Sequence, residues 1–225
     1  MNKWLLTASL LFLSVAGFSQ VSIGSQLSGV MSNPSIKSTD LFDQNIDAKS
    51  RFGWKAGFVF DVPFGEDGWR FIPEINWVNK GFNVDLNTTY LTQPVNVKGN
   101  SNIGYIEVPL NVAYAVEMGD NSLIIGAGPY FAYGVAGKNN FDASVGNQIV
   151  VSNKEKIDFG SSAGQIKPFD YGANLSVGYL LSGGMMLSAN YSFGLANISN
   201  EGNGSSYKNS YLGISLVYFF KRAGE

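Results

Sequence analysis

FDYGANLSVGYLLSGGMMLSANYSFGLANI, residues Phe169–Ile198, decides the fold. In its first half every second residue is apolar or aromatic: Phe169, Tyr171, Ala173, Leu175, Val177, Tyr179 and Leu181. Between them stand Asp170, Gly172, Asn174, Ser176, Gly178 and Leu180. The second half repeats the alternation, with Met185, Leu187, Ala189, Tyr191, Phe193 and Leu195 against Met186, Ser188, Asn190, Ser192, Gly194 and Ala196. Period two marks β-strands, and Ser182-Gly183-Gly184 between the runs predicts a tight hairpin. A soluble sheet clothes its wet face in charge, yet the second face here is small and polar with almost no Lys or Glu. That face is therefore read as the interior of a barrel and the apolar face as lipid-facing. Each half also has the roughly 9–11 residues that a tilted strand needs to cross a bilayer.

Composition agrees. The chain has 225 residues, one domain's worth, with 14% charged residues, 27 Gly and 31 aromatics. Residues 1–19 read as a secretory signal peptide: Lys3, an apolar run Trp4–Val15, then Gly17-Phe18-Ser19. Residues 20–225 form the barrel domain. No other run approaches the ~18 apolar residues of a helical span. Without Lys3, 14 basic and 17 acidic residues leave a net charge of −3, which gives no reason to expect nucleic acid as a partner. Zero Cys excludes disulfides and thiol chemistry, and zero His removes the commonest general base and metal ligand.

The remaining strands follow the same rule. Val21–Met31 alternates, Phe52–Val62 places Phe52, Trp54, Phe58 and Phe60 outward, and Trp69–Lys80 places Trp69, Phe71, Ile75 and Trp77 outward. Ile103–Val116, Leu123–Val135 and Tyr207–Phe220 complete eight strands. Short turns at 63–68, 117–121 and 182–184 alternate with long loops at 32–50, 81–102, 138–168 and 197–206. The expectation is an all-β, eight-stranded antiparallel up-and-down transmembrane β-barrel with both termini in the periplasm. The end of the chain just past strand eight suggests that no peptidoglycan-binding domain follows. Pro73, Pro109 and Pro129 fall inside strands, and bulges are expected there. A soluble lipocalin-type barrel would reverse the polarity, with aromatics inside.

Phe71-Ile72-Pro73-Glu74-Ile75-Asn76-Trp77 with Asn79-Lys80-Gly81 resembles the F-x-P-E strand of the PorT-like outer-membrane β-barrel family. Tyr105-Ile106-Glu107-Val108-Pro109-Leu110 and Gly126-Ala127-Gly128-Pro129-Tyr130 are similar to two further strands of that family. Gly213, Leu216, Tyr218 and Phe220 resemble a barrel-assembly signal, which implies the assembly machinery as a partner during insertion. The resemblance covers essentially the whole mature chain. It implies the cell outer membrane, contact with lipid and lipopolysaccharide, and a link to envelope or secretion proteins.

The small-barrel enzymes depend on an active-site His, absent here, so the chain reads as non-enzymatic, with no cofactor. Asp40, Asp43 and Asp47 match no calcium loop, and Gly126-Ala127-Gly128 lacks the Lys and helix of a phosphate loop. Inward charges remain: Lys55, Asp61, Arg70, Glu74, Lys80 and Glu107. Pairing across the 63–68 turn sets Asp61 opposite Arg70 and Lys55 diagonal to Glu74, while Lys80 and Glu107 share the lumen. They are read as a charge-paired plug, since buried charges persist only when paired. An ion path is the functional alternative. The function expected is a surface scaffold or accessory protein, with a small channel as the alternative that the lumen glycines Gly53, Gly57, Gly126, Gly128, Gly134, Gly172 and Gly178 leave open.

Overall fold

The computed structural model describes residues 21–37, 48–65, 68–90, 93–145, 148–201 and 204–221. The signal segment and Asp40, Asp43 and Asp47 lie outside the described residues. The elements are β1 (Ser22–Ser32), β2 (Ser35–Lys37), β3 (Ala48–Lys49), β4 (Arg51–Pro63), β5 (Trp69–Tyr90) and β6 (Gln93–Met118). They continue with β7 (Asn121–Val145), β8 (Gln148–Lys156), β9 (Phe169–Leu180), β10 (Met185–Gly194), β11 (Ser206–Lys208) and β12 (Ser210–Lys221). Antiparallel pairing runs β1–β4–β5–β6–β7–β9–β10–β12 and closes β12 onto β1, an eight-stave up-and-down barrel. Closure leaves the ring of staves with no free edge, as a wall in lipid requires.

Alternation sets what each wall meets. Leu27, Phe58, Ile75, Ile125, Leu175, Leu187 and Ile214 project outward and stay exposed, while Val30, Val59, Val78, Tyr105, Tyr130 and Val217 are buried inside. Aromatics crowd the two ends of the outer wall. Trp69, Tyr114, Tyr179 and Tyr218 lie at the end with the tight turns. Phe52, Trp54, Tyr133, Phe169 and Phe193 lie at the end with the long connections. Two girdles flanking an aliphatic band are the signature of a membrane barrel. The turns at the first end need left-handed residues, met by Gly119 (φ 67°) and Gly184 (φ 82°).

Two expectations about this wall are corrected. Segments 81–102 and 138–168 are not wholly loops: β5 and β6 stay paired from Gly81↔Asn102 to Tyr90↔Gln93, and β7 pairs β8 from Lys138↔Lys156 to Val145↔Gln148. Phe82, Val84 and Leu86 against Val95 and Val97 carry the period-two signal amid Asn and Thr that depress β-propensity. The prolines do not shift register either. The ladder skips from Pro73↔Leu110 to Asn76↔Glu107, and from Pro109↔Tyr130 to Val112↔Ala127, with register kept. The β6–β7 bulge sits instead at Gly104/Tyr105.

Candidate functional site

The lumen is filled in four layers. At the turn end, Val59, Ile72, Ala113, Ala115, Ile124, Leu180, Met186, Val217 and Phe219 form one apolar cluster. Beside it Arg70 Nη1 meets Asp61 Oδ2 at 2.5 Å. Register sets Arg70 opposite Pro63 rather than Asp61, so the pair is a diagonal one; β4 runs on to Pro63 and the turn is centred one residue later than expected.

Above it lies a polar layer that crosses the lumen. Gln26 donates to Glu74 Oε2 at 2.6 Å and to Asn76 Oδ1 at 2.7 Å, and Lys55 Nζ stands 3.6 Å from the same Glu74 oxygen. Lys55 also donates to Asn190 Oδ1 at 3.3 Å, Asn190 to Asn174 at 3.1 Å, and Asn174 to Asn111 at 3.1 Å. The chain of amides links β1, β4, β5, β10, β9 and β6. Glu74 sits opposite Val59, two inward positions from Lys55, so only the long lysine stem brings the pair together.

The third layer holds Lys80. Its ammonium lies 2.6 Å from Glu107 Oε2 and 3.1 Å from Asp170 Oδ2, with all three side chains essentially inaccessible. The rings of Tyr130, Tyr105 and Tyr211 surround it, with centroids at 4.6, 5.0 and 5.4 Å. Tyr211 donates to Glu107, and Asn209 donates to Asp170 at 3.1 Å and to the Tyr105 hydroxyl at 3.2 Å. Such pairing is what lets a charge persist in a low-dielectric interior, while Asp170 Oδ1 and the Tyr130 hydroxyl have no hydrogen-bond partner among the described residues. The inward alternation marks Lys80 and Glu107. Asp170 enters from β9 and Tyr105, Tyr130 and Tyr211 from β6, β7 and β12, and only the closed register shows that they meet.

A plug forms the fourth layer. Ile157, Ala196, Ile198 and Tyr207, with Phe159, Ile166 and Ile36, pack onto Val30, Val78, Ile103 and Tyr105 at the loop end. Backbone bonds tie it down: Gly134 N to Pro168 O at 2.7 Å, Ile157 N to Gly137 O at 3.0 Å, and Lys167 N to Ile198 O at 2.8 Å. Burial pushes the Tyr207 phenol above its ordinary value. Two of the lumen glycines, Gly134 and Gly172, make room for rings. A Cβ on Gly134 would lie 2.4 Å from Phe159 Cε1, and one on Gly172 would lie 2.6 Å from Tyr130 Cε1.

Beyond the plug, β5, β6, β7 and β8 continue as an antiparallel sheet clear of the ring, and among the described residues β8 has only β7 as a ladder partner. Between it and β2 a groove of about 610 Å³ is lined by Ile36, Phe82, Val97, Phe141 and Val151 with Asn100, Asn140 and Glu155. Phe141 and Val151 stay exposed there, and Val150 beside them on β8 is exposed as well. Among the described residues no group of three His, Cys, Asp or Glu side chains is placed to hold a metal ion.

The family model described as outer membrane protein beta-barrel domain matches residues 16–200. No curated protein matches the chain. Solved structures similar to it include Ail of Yersinia pestis, crystallised with the heparin analogue sucrose octasulfate (11% identity, 88% of this chain and 99% of that one, TM-score 0.39). OprG from Pseudomonas aeruginosa is similar at 14% identity over 89% of this chain and 96% of that one, TM-score 0.42. Neisserial surface protein A is similar at 11% identity over 89% and 99%, TM-score 0.38. Likenesses this distant carry no functional reading.

Proposed function

The chain belongs to the outer membrane protein beta-barrel domain family, and from that premise we propose that it is a non-enzymatic, closed barrel presenting a docking sheet at the cell surface. The observation that carries this reading is the filled lumen: apolar layers at both ends enclose the charged and polar ones. A small channel would need a continuous wet path, and an eight-stranded barrel is just wide enough to be filled by its own side chains. The long connections of such barrels face outside, so the β5–β8 sheet and its groove stand above the membrane with residues 1–19 serving as the export signal. Exposed Phe141, Val150 and Val151 and the open edge of β8 suit a protein partner that adds a strand and fills pockets with alternate side chains. The resemblance to the PorT-like family makes a secretion or envelope assembly the first partner to seek.

Two measurements test it. Purified protein in a planar bilayer is expected to give no discrete current steps at low voltage; steps would overturn the closed-barrel reading. Mild-detergent capture from its own outer membrane is expected to bring down envelope protein in stoichiometric amount. A variant with residues 139–155, which carry β8 and the exposed Val and Phe side chains, replaced by a two-residue turn is expected to lose it. Equal recovery with that variant would overturn the docking role of the sheet.

A further inference from the structure

We propose that the outer wall carries a binding site for the phosphate group of an outer-leaflet lipid, built by Lys138 and Lys156 beside Trp77. A hollow of about 490 Å³ opens where β7 leaves the barrel, lined by Trp77, Asn79, Asn102, Lys138, Lys156 and Asp158, among others. Lys138 and Lys156 are direct cross-strand partners on β7 and β8. Like charges so placed, with Cβ atoms about 5 Å apart, repel each other. Both are exposed, and among the described residues neither has an acidic partner within ion-pair distance. An anion seated between them removes the repulsion.

The other groups fit a phosphate rather than a carboxylate alone. Asn102 lies opposite Lys138 on β6, and its Oδ1 accepts from Arg51 Nη1 at 3.1 Å. That bond leaves the Asn102 amide nitrogen as a further donor to the hollow. The wall is firm: Trp77 Nε1 donates to Asn79 Oδ1 at 3.3 Å, and the indole lies so close over Gly104 that a Cβ there would be 2.5 Å from Trp77 Cζ2. Asp158 supplies an acceptor, suited to a sugar or glycerol hydroxyl next to the phosphate.

Height in the membrane selects the lipid over a free anion. Trp69 and Trp77 bracket the outward face of β5, about 26 Å apart along a strand at ~3.3 Å per residue, and this approaches the height of the apolar band once tilt is allowed for. Tryptophan at the loop end sits at headgroup level, so the ammonium groups just beyond it stand in the plane of lipid phosphates. This inference rests on the outer-membrane family and on the outer wall, and stands whether or not the β5–β8 sheet docks a protein.

The test uses the full-length barrel purified in phosphate-free detergent. Retention of phosphorylated lipid A, its dephosphorylated counterpart and inorganic phosphate is measured by native mass spectrometry for the wild type and for Lys138→Gln/Lys156→Gln. Both lysines are exposed, so the variant is expected to keep its folded gel mobility. Wild type is expected to prefer the phosphorylated lipid by on the order of tenfold, and the double variant to lose the preference. Lys138→Arg/Lys156→Arg, with heavier but still cationic heads, is expected to keep it. Equal retention of the two lipids by the wild type, or an undiminished preference in the glutamine variant, would overturn the site. Inorganic phosphate displacing the lipid at equal concentration would overturn its assignment to a lipid.

Discussion

Lys80→Met removes the cation that faces Glu107 at 2.6 Å and Asp170 at 3.1 Å. Methionine nearly matches the volume of the stem, so little cavity is left and the loss is electrostatic. Both carboxylates are inaccessible to water, and each keeps one neutral donor, Tyr211 for Glu107 and Asn209 for Asp170. Removing one partner of a buried ion pair costs about 3–5 kcal/mol, because the other charge is left uncompensated. Two orphaned carboxylates set the expectation at the upper end, ~5 kcal/mol. The assay is urea unfolding in lipid vesicles, followed by the gel-mobility difference between folded and unfolded barrel. The decisive control is Lys80→Met/Glu107→Gln/Asp170→Asn, which removes all three charges at nearly constant volume and is expected to return to within ~1 kcal/mol of wild type. A single variant as stable as wild type, or a triple variant as unstable as the single, would refute charge pairing as the reason these groups lie where they do.

Three further outcomes are expected. Leu27→Arg, at an outward position in the middle of β1, should cost about 2–4 kcal/mol as a charge in the bilayer centre; a change under ~0.5 kcal/mol in vesicle unfolding would be the behaviour of a water-facing wall. Asp61→Ala should cost less than Lys80→Met, about 1–2 kcal/mol, because Arg70 keeps 23% of its side chain accessible and rehydrates; unchanged stability would remove the pair. Gly134→Val places methyls where Phe159 Cε1 already lies 2.4 Å from an ideal Cβ. Such overpacking should cost about 1–3 kcal/mol and speed chymotrypsin cleavage after Phe159, whereas an unchanged cleavage rate would mean that the plug does not rest on that glycine.

What the sequence makes legible is the part of the physics with a short period. The alternation of Phe169–Leu181 and Met185–Leu195 identifies two staves, the turn between them and the lipid-facing side. The same rule orients Lys55, Lys80 and Glu107 inward. Register across the closed ring is not periodic in this sense. Asp170 stands in plain view on the inward side of β9, yet its partner Lys80 is 90 residues away, and only the closed pairing order brings them together. The plug is less visible still. Ile157, Phe159, Ile166 and Ile198 are scattered apolar residues in irregular segments, and they gain meaning only above a mouth lined by Val30, Val78 and Ile103. The sheet beyond the mouth is an intermediate case, since Phe82, Val84 and Leu86 keep step with Val95 and Val97 while the Asn and Thr around them favour loops.

The prolines of the wall acquire a mechanical sense from this arrangement. Hydrogen bonds between staves act as hoops, and Pro73, Pro109 and Pro129 each lack the N–H that would carry one. They sit on β5, β6 and β7, near one height, where the ladder skips between Pro73↔Leu110 and Asn76↔Glu107 and between Pro109↔Tyr130 and Val112↔Ala127. These are the same three staves that run on past the mouth to carry the outer sheet. A load applied to that sheet travels down a lever whose fulcrum is the line of missing hoops. Under such a load the wall is expected to yield there first, ahead of the opposite staves β10, β12 and β1.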